Sequence, residues 1–221
     1  MKRPLAVFDL GRRPYDESLA VQEQTVARVR SGGGSDTLLL VEHNPVYTLG
    51  RRFKPENLRV SGALLQAKGA DVVEVGRGGD VTFHGPGQLV GYPVISLVGR
   101  AGAAWYVAAL ETVLMRTLAA FGIASATDAR NRGVWIGNEK IAAIGIRVSR
   151  GVTMHGFALN VCVDLSWYDG IVPCGIQDAG VTSMDRHVPG MTTACVKPVL
   201  VKQFCDVFEY QDGKAMAYVN E

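Results

Sequence analysis

Between two apolar runs, Asp71 to Val75 and Leu89 to Leu97, the chain carries the stretch RGGDVTFHGPGQ, Arg77 to Gln88. Four glycines and a proline surround one arginine, one aspartate and one histidine. Each interior glycine costs roughly 0.5 to 1 kcal/mol in chain entropy and in return admits backbone shapes and close approaches that a side chain forbids. With a strand on either side, such a segment obliges the fold to bring bare backbone against a turn, a second backbone or a ligand. A turn alone would account for the glycines and the proline. It would not account for Arg77, Asp80, Thr82 and His84 threaded among them. Open N–H groups beside polar side chains suit a cradle for a carbonyl or an extended chain.

Nucleotide cradles do not fit. A P-loop needs a glycine followed by lysine and a hydroxyl residue, and no glycine here has that sequel. Gly76 and Gly78 begin a GxGxxG that ends in Val81, and Gly85 and Gly87 begin another that ends in Val90.

Elsewhere the pattern predicts a helix from Asp16 to Arg30, closed by Gly32, Gly33 and Gly34, and a buried strand from Thr37 to Val41. A surface loop follows from Thr48 to Val60. Tyr106, Leu110, Leu114, Leu118 and Phe121 recur at helical spacing within Ala103 to Phe121, with Gly122 as terminator. Val134 to Ile136 and Ile141 to Val148 read as strands joined by a tight hairpin at Gly137 and Asn138. His155 to Val163 reads as a strand, Val172 to Thr182 as a loop, and Pro198 to Tyr210 as a helix. The economical architecture is α/β, a mixed β-sheet flanked by helices. With 221 residues, no repeats and no low-complexity linker, residues 1–221 read as one domain.

A formal net charge of +2 with 20% charged residues implies no strongly basic surface and argues against a nucleic acid partner, while leaving room for a local basic patch that meets an acidic protein. No window is apolar enough to span a membrane, and the apolar run after MKRP is too short for a signal peptide. Cys162, Cys174, Cys195 and Cys205 form no CxxC pair, so a reducing, cytoplasmic setting with no metal site and no cofactor is expected. His43, His84, His155 and His187 are scattered along the chain and none belongs to HExxH; no serine sits in GxSxG.

Cysteine is the remaining nucleophile. Cys174, between Pro173 and Gly175 in a loop, has stiffened backbone before it and an open amide after it. The other three lie in or near regular elements, where a cysteine is ordinarily a small buried hydrophobe. A reactive thiol needs a neighbouring cation or base. Lys140 shares strand parity with Ala142, Ile144, Ile146 and Val148, and a lysine on an apolar face loses hydration and can act as a base as well as a cation. A strand-end lysine reaching solvent is the alternative.

VEHNPVYTLG from Val41, RGGDVTFHGPGQLVGYP from Arg77, KIAAIGIR from Lys140, MHGFALNV from Met154, and PCGI with VTSM from Pro173 onward are five ordered blocks spanning roughly residues 38–185. Together they resemble the lipoyl(octanoyl) transferases, enzymes that move an octanoyl group from acyl carrier protein to a lysine of lipoyl domains. The resemblance implies a fold similar to the catalytic domain of biotin and lipoate protein ligases. It implies an acyl-thioester on Cys174 and an activating lysine at Lys140. It implies substrate contacts from Arg77, Gly78, Gly79, Asp80, Val81, Thr82, Phe83 and His84, from Ala143, Ile144 and Gly145, and from Gly156, Phe157 and Ala158. The implied partners are octanoyl-acyl carrier protein as donor, and the lipoyl domains of 2-oxo acid dehydrogenase complexes and the glycine cleavage H protein as acceptors. Asn44 departs from the family, which often has proline there. Candidate oxyanion donors are N–H groups near Gly175 and in the glycine stretch. Thioester-to-amide transfer needs no nucleotide, in keeping with the missing phosphate motifs. An ATP-using ligase of the same fold and a non-catalytic carrier-binding protein are the rival readings.

Overall fold

The computed structural model describes residues 2–172 and 179–211, and the backbone of 216–218. The strands are β1 (Ala6–Arg13), β2 (Thr37–His43), β3 (Val46–Leu49), β4 (Asp71–Glu74), β5 (Val81–His84), β6 (Gln88–Val94) and β7 (Ala126–Asp128). They continue as β8 (Asn131–Ile136), β9 (Glu139–Ser149), β10 (Val152–Asn160), β11 (Gly180–Val181) and β12 (Met216–Tyr218). The helices are α1 (Tyr15–Arg30), α2 (Gly62–Ala67), α3 (Gly102–Ala120) and α4 (Thr193–Phe208).

Among the described residues, the main sheet runs β12-β1-β2-β6-β10-β9-β8-β7, with β11 alongside the start of β9. A smaller sheet, β4-β3-β5, lies beside it. The main sheet mixes parallel pairs, such as β1 with β2, and antiparallel ones, such as β2 with β6 and β6 with β10.

Both faces of the sheet are covered, which is why TLLLV reads as continuous apolar sequence. Successive strand residues point to opposite faces. Leu38 and Leu40 pack with Leu110, Leu114 and Leu118 of α3 and Leu200 and Phe204 of α4. Leu39 and Val41 face the other way, with Val90, Tyr92 and Ala158. Helix α1 covers the end of that second face through Val26 and Val29, against Val94, Val152 and Met154. The small sheet has its own core, Tyr47, Val81 and Phe83 with Tyr168 and Ile171.

The expected mixed sheet flanked by helices is what forms, and Gly137 and Asn138 do make a two-residue hairpin between β8 and β9, with Gly137 at φ +56°. Several boundaries differ. Helix α4 begins at Thr193, five residues before Pro198, because Thr192 caps it by accepting from the Cys195 N–H; the proline sits inside the helix. Part of the glycine stretch is itself strand β5, and Thr48 and Leu49 belong to β3 rather than to a loop, since the two strands satisfy each other's backbone. Strand β1 and helix α2 carried too little periodicity to be read.

The β8–β9 ladder corrects the parity argument for Lys140. Trp135 pairs with Lys140 but Val134 pairs with Ala142, so Ile141 is the extra residue of a bulge. Alternation breaks there, and Lys140 does not share a face with Val148, which is exposed.

Candidate active site

The glycine stretch lies on the backbone of β9. Gly78 donates its N–H to the Ile146 carbonyl at 2.9 Å. A Cβ on Gly145 would sit 3.1 Å from the Gly78 oxygen and 3.0 Å from Arg77 Cδ. Gly145 is in register with Gly156 on β10, where a Cβ would run into the Gly91 carbonyl of β6 and come 2.6 Å from Pro93 Cδ. Bare backbone on four adjacent segments lets the small sheet close over the large one.

Arg77 and Asp80 hold that closure. The Arg77 guanidinium donates from Nη2 to the Thr48 carbonyl at 2.6 Å and to Thr48 Oγ1 at 2.8 Å, from Nε to the same Oγ1 at 3.2 Å, and from Nη1 to the Gly78 carbonyl at 3.0 Å. Asp80 accepts from Asn57 Nδ2 at 2.5 Å, Val81 N–H at 2.7 Å and Lys54 N–H at 3.3 Å.

Between the sheets runs a narrow slot of about 40 Å³. All three segments singled out in the sequence meet on it: Arg77, Asp80, Val81, Thr82 and His84 on one side, Ala143, Ile144 and Gly145 with Gly156, Phe157 and Ala158 on the other. Phe83 points away, stacked 5.2 Å from Trp167 at 6° between planes. Gly78 faces an adjoining open cleft, and Gly79, at φ +92°, closes the loop. Asp80, Ile144 and Gly145 belong to both slot and cleft and mark the mouth. Tyr15 and Tyr92 line the slot on its β6 and α1 side. From the mouth the sheet order runs inward from β9 to β10 to β6, so the phenols lie at the far end.

Three of the four histidines, far apart in sequence, gather here. His43 and His84 rings are 5.8 Å apart, His43 Nε2 pairs with Tyr92 OH at 2.6 Å, and His84 Nδ1 pairs with Gln88 Oε1 at 2.7 Å. Burial pushes His43 and His155 down to about 4 and His84 down to about 3; for His84 and His155 neighbouring charged groups, Arg77 among them, add to the depression, while at His43 a backbone hydrogen bond with Arg13 partly opposes it. All three are neutral at physiological pH. Burial likewise raises Tyr15 to about 12 and holds Tyr92 well above the usual phenol range. His155 adopts φ +59°, a left-handed conformation costly for a residue with a Cβ, and its N–H donates to Gln22 Oε1 at 3.1 Å.

Lys140 is buried at 5% exposure. Its Nζ donates to Asn131 Oδ1 at 2.9 Å and lies 5.2 Å from the Trp135 ring centre. Gly133, at φ +133°, makes the room: a Cβ there would be 2.6 Å from Lys140 Cε. Asn131 lines the open cleft next to the slot mouth.

Cys174 and Gly175 lie outside the described residues. The flanking backbone is fixed on both sides. Val172 N–H donates to the carbonyl of Asn57, another cleft residue, at 2.8 Å. Gly180 and Val181 pair in parallel with Glu139 and Lys140. Within the glycine stretch, the Gly78 and Val81 N–H groups are already committed to Ile146 and Asp80. Among the described residues no cluster of three or more histidine, cysteine or carboxylate side chains is placed to hold a metal ion.

Residues 14–205 match the family model described as the lipoyl protein ligase A/B catalytic domain. The octanoyltransferase of Acidobacterium capsulatum is 46% identical over 224 residues, covering 94% of this chain and 91% of that protein. The octanoyltransferase of Solibacter usitatus is 48% identical, with 95% of each chain covered. The chain belongs to the octanoyltransferase family. Solved structures extend the likeness in fold alone: lipoate-protein ligase A bound with ATP superposes with a TM-score of 0.77 at 14% identity over 100% of this chain and 90% of the ligase. Biotin protein ligase from Aquifex aeolicus gives 0.58 at 13% identity, over 92% and 70% of the two chains.

In this octanoyltransferase-family chain, sequence reasoning missed Thr48, Gln88, Tyr92 and His155. Each is a polar residue retained in an otherwise apolar or glycine-rich block, which is the signal that could have found them. Tyr15 gives no such signal; only the packing of α1 brings it to the slot.

Proposed function

We propose that this enzyme moves an octanoyl group from the thioester of an acyl carrier protein to a lysine of lipoyl domains, those of 2-oxo acid dehydrogenase complexes and the glycine cleavage H protein, through a thioester on Cys174. The observation that carries the reading is the convergence of the three predicted segments on one narrow slot whose mouth opens into the cleft where Asn131 holds Lys140. Val81, Val90, Ile144, Phe157 and Ala158 in its lining favour an apolar occupant. Of the anchored residues flanking the segment that bears Cys174, Val172 bonds Asn57 of that cleft, and Gly180 and Val181 pair with Glu139 and Lys140.

In the proposed sequence Lys140 takes the Cys174 thiol proton and the thiolate attacks the donor carbonyl. The carbon–sulfur bond to the carrier breaks, and its thiolate recovers a proton from Lys140. The acceptor amine then attacks the acyl-cysteine. A free lysine amine has a pKa near 10.4, so it needs a base; Lys140 takes the proton as Cys174 leaves as thiolate. Arg77 and Asp80 shape the slot instead of meeting the reacting atoms, because their polar atoms are committed to Thr48, Gly78, Asn57, Lys54 and Val81.

The test is to incubate the protein with octanoyl-carrier in the absence of ATP and weigh it before and after Cys174→Ser. A gain of one octanoyl group on the native protein and none on the variant is expected. An unmodified native protein with intact donor rejects the covalent route, and a requirement for ATP favours the ligase chemistry of its structural neighbours.

A further inference from the structure

Arg77, Thr82, His84, Tyr92 and His155 all line the slot, a polar set of walls for an apolar occupant. Hydrogen bonding reconciles the two, and it starts from carbonyl oxygens, which only accept. The Gln88 atom 3.2 Å from the Phe83 carbonyl is therefore the amide nitrogen. The Asn160 atom 3.0 Å from the Thr182 carbonyl is likewise its nitrogen, so Asn160 Oδ1 faces Gln88 Nε2 at 2.9 Å. With its nitrogen committed, Gln88 turns Oε1 to His84 Nδ1 at 2.7 Å, and that ring nitrogen must carry the proton. The remaining ring nitrogen, Nε2, lies 3.4 Å from Thr48 Oγ1. That oxygen already accepts twice from Arg77, so its own hydrogen is left for His84.

We propose that Gln88 is a positioning residue that locks neutral His84 in the Nδ1–H tautomer, so that both ring nitrogens are consumed and the slot offers an acyl chain no unpaired histidine nitrogen from His84. The role assigned to the slot rests on the acyltransferase reading; the tautomer does not. Around His84, Arg77 from the loop before β5, His43 from β2 and His155 from β10 all oppose a proton, while Gln88 from β6 favours one. Thr48 from β3 is neutral. Which nitrogen of a histidine is protonated is set by the bond the other makes, and here Gln88 sets it.

Long-range proton–nitrogen NMR on enzyme labelled at histidine reads the tautomer directly, with the His84 signal assigned by its loss in His84→Gln. A protonated Nδ1 and bare Nε2 from pH 6 to 8 are expected; an Nε2–H tautomer or an imidazolium at pH 7 overturns the proposal. Gln88→Met keeps the shape and removes the acceptor. It should release the tautomer and raise KM for the octanoyl donor roughly tenfold with a smaller effect on kcat, as loss of an orienting partner does. Gln88→Glu sets a carboxylate beside His84, and the ratio of its KM to that of the native enzyme should climb as pH falls from 8 to 6. An unchanged tautomer and KM in Gln88→Met also overturns the proposal, and if neither variant folds the native spectrum alone decides. Should octanoyl loading fail while the expected tautomer is found, the acyl reading falls and the Gln88 lock stands.

Discussion

Lys140 Nζ lies 2.9 Å from Asn131 Oδ1, and the space its chain crosses exists because residue 133 has no side chain. Gly133→Ala would bring a Cβ to 2.6 Å from Lys140 Cε and against the Ala142 carbonyl, at a φ of +133°. A displacement of the amine near 1 Å costs on the order of 100-fold in rate. Octanoyl transfer by Gly133→Ala should fall by about that factor, measured in single turnover. A wild-type rate in a folded variant would remove this geometry from the mechanism.

Lys140→Ala should slow both acylation of the enzyme and transfer to the acceptor, since the same amine is assigned to both half-reactions. Asn131→Ala should lower kcat by roughly tenfold with KM little changed, because it loosens Lys140 without touching the slot wall. Stopped-flow thioester release and acceptor mass shift separate the two steps.

Gly156→Ala tests the approach of β10 to β6. Its Cβ would meet the Gly91 carbonyl and lie 2.6 Å from Pro93 Cδ, between two fully buried strands. Backbone cannot yield as a flexible side chain can, and the strain should cost about 1 to 3 kcal/mol or more. Thermal unfolding should show a lowered midpoint; an unchanged one would mean that the two strands lie farther apart.

Asp80→Ala removes acceptors for Asn57, Val81 and Lys54 together. Leaving those donors unpaired costs about 1 to 3 kcal/mol. The loop at the slot mouth should become a preferred site of limited proteolysis, and KM for the octanoyl donor should rise.

Acid sensitivity follows from the buried histidines. His43, His84 and His155 are held near 4, 3 and 4, against about 6.5 in the unfolded chain. The unfolded state therefore binds more protons below pH 6.5. The stability these groups contribute is fully present above that value and is lost as pH falls toward 4 and 3. Each contributes a slope of about 1.4 kcal/mol per pH unit across its window. Urea unfolding between pH 7 and 4.5 should show this decline, and His43→Gln should flatten it by about one proton.

Residue order and composition were enough to specify the mixed sheet, helix α3 and the Gly137–Asn138 hairpin, while the three segments that border the slot came from the resemblance to the lipoyl(octanoyl) transferases. The first three features are local: period, turn chemistry and glycine content act within a few residues of chain. Packing in three dimensions settled the rest. A bulge at Ile141, which no local pattern reveals, undid the parity argument for Lys140 while the lysine is buried all the same. Three histidines that read as scattered became neighbours because β2, β5 and β10 converge on one side of the sheet. The two polar residues of the glycine stretch that hold the loop, Arg77 and Asp80, were separated from the one inside the slot wall, His84, by hydrogen bonds to Thr48, Asn57 and Gln88. Those partners lie 29, 23 and 4 residues away. Sequence names the donors and acceptors, but only the packed fold brings each to its partner.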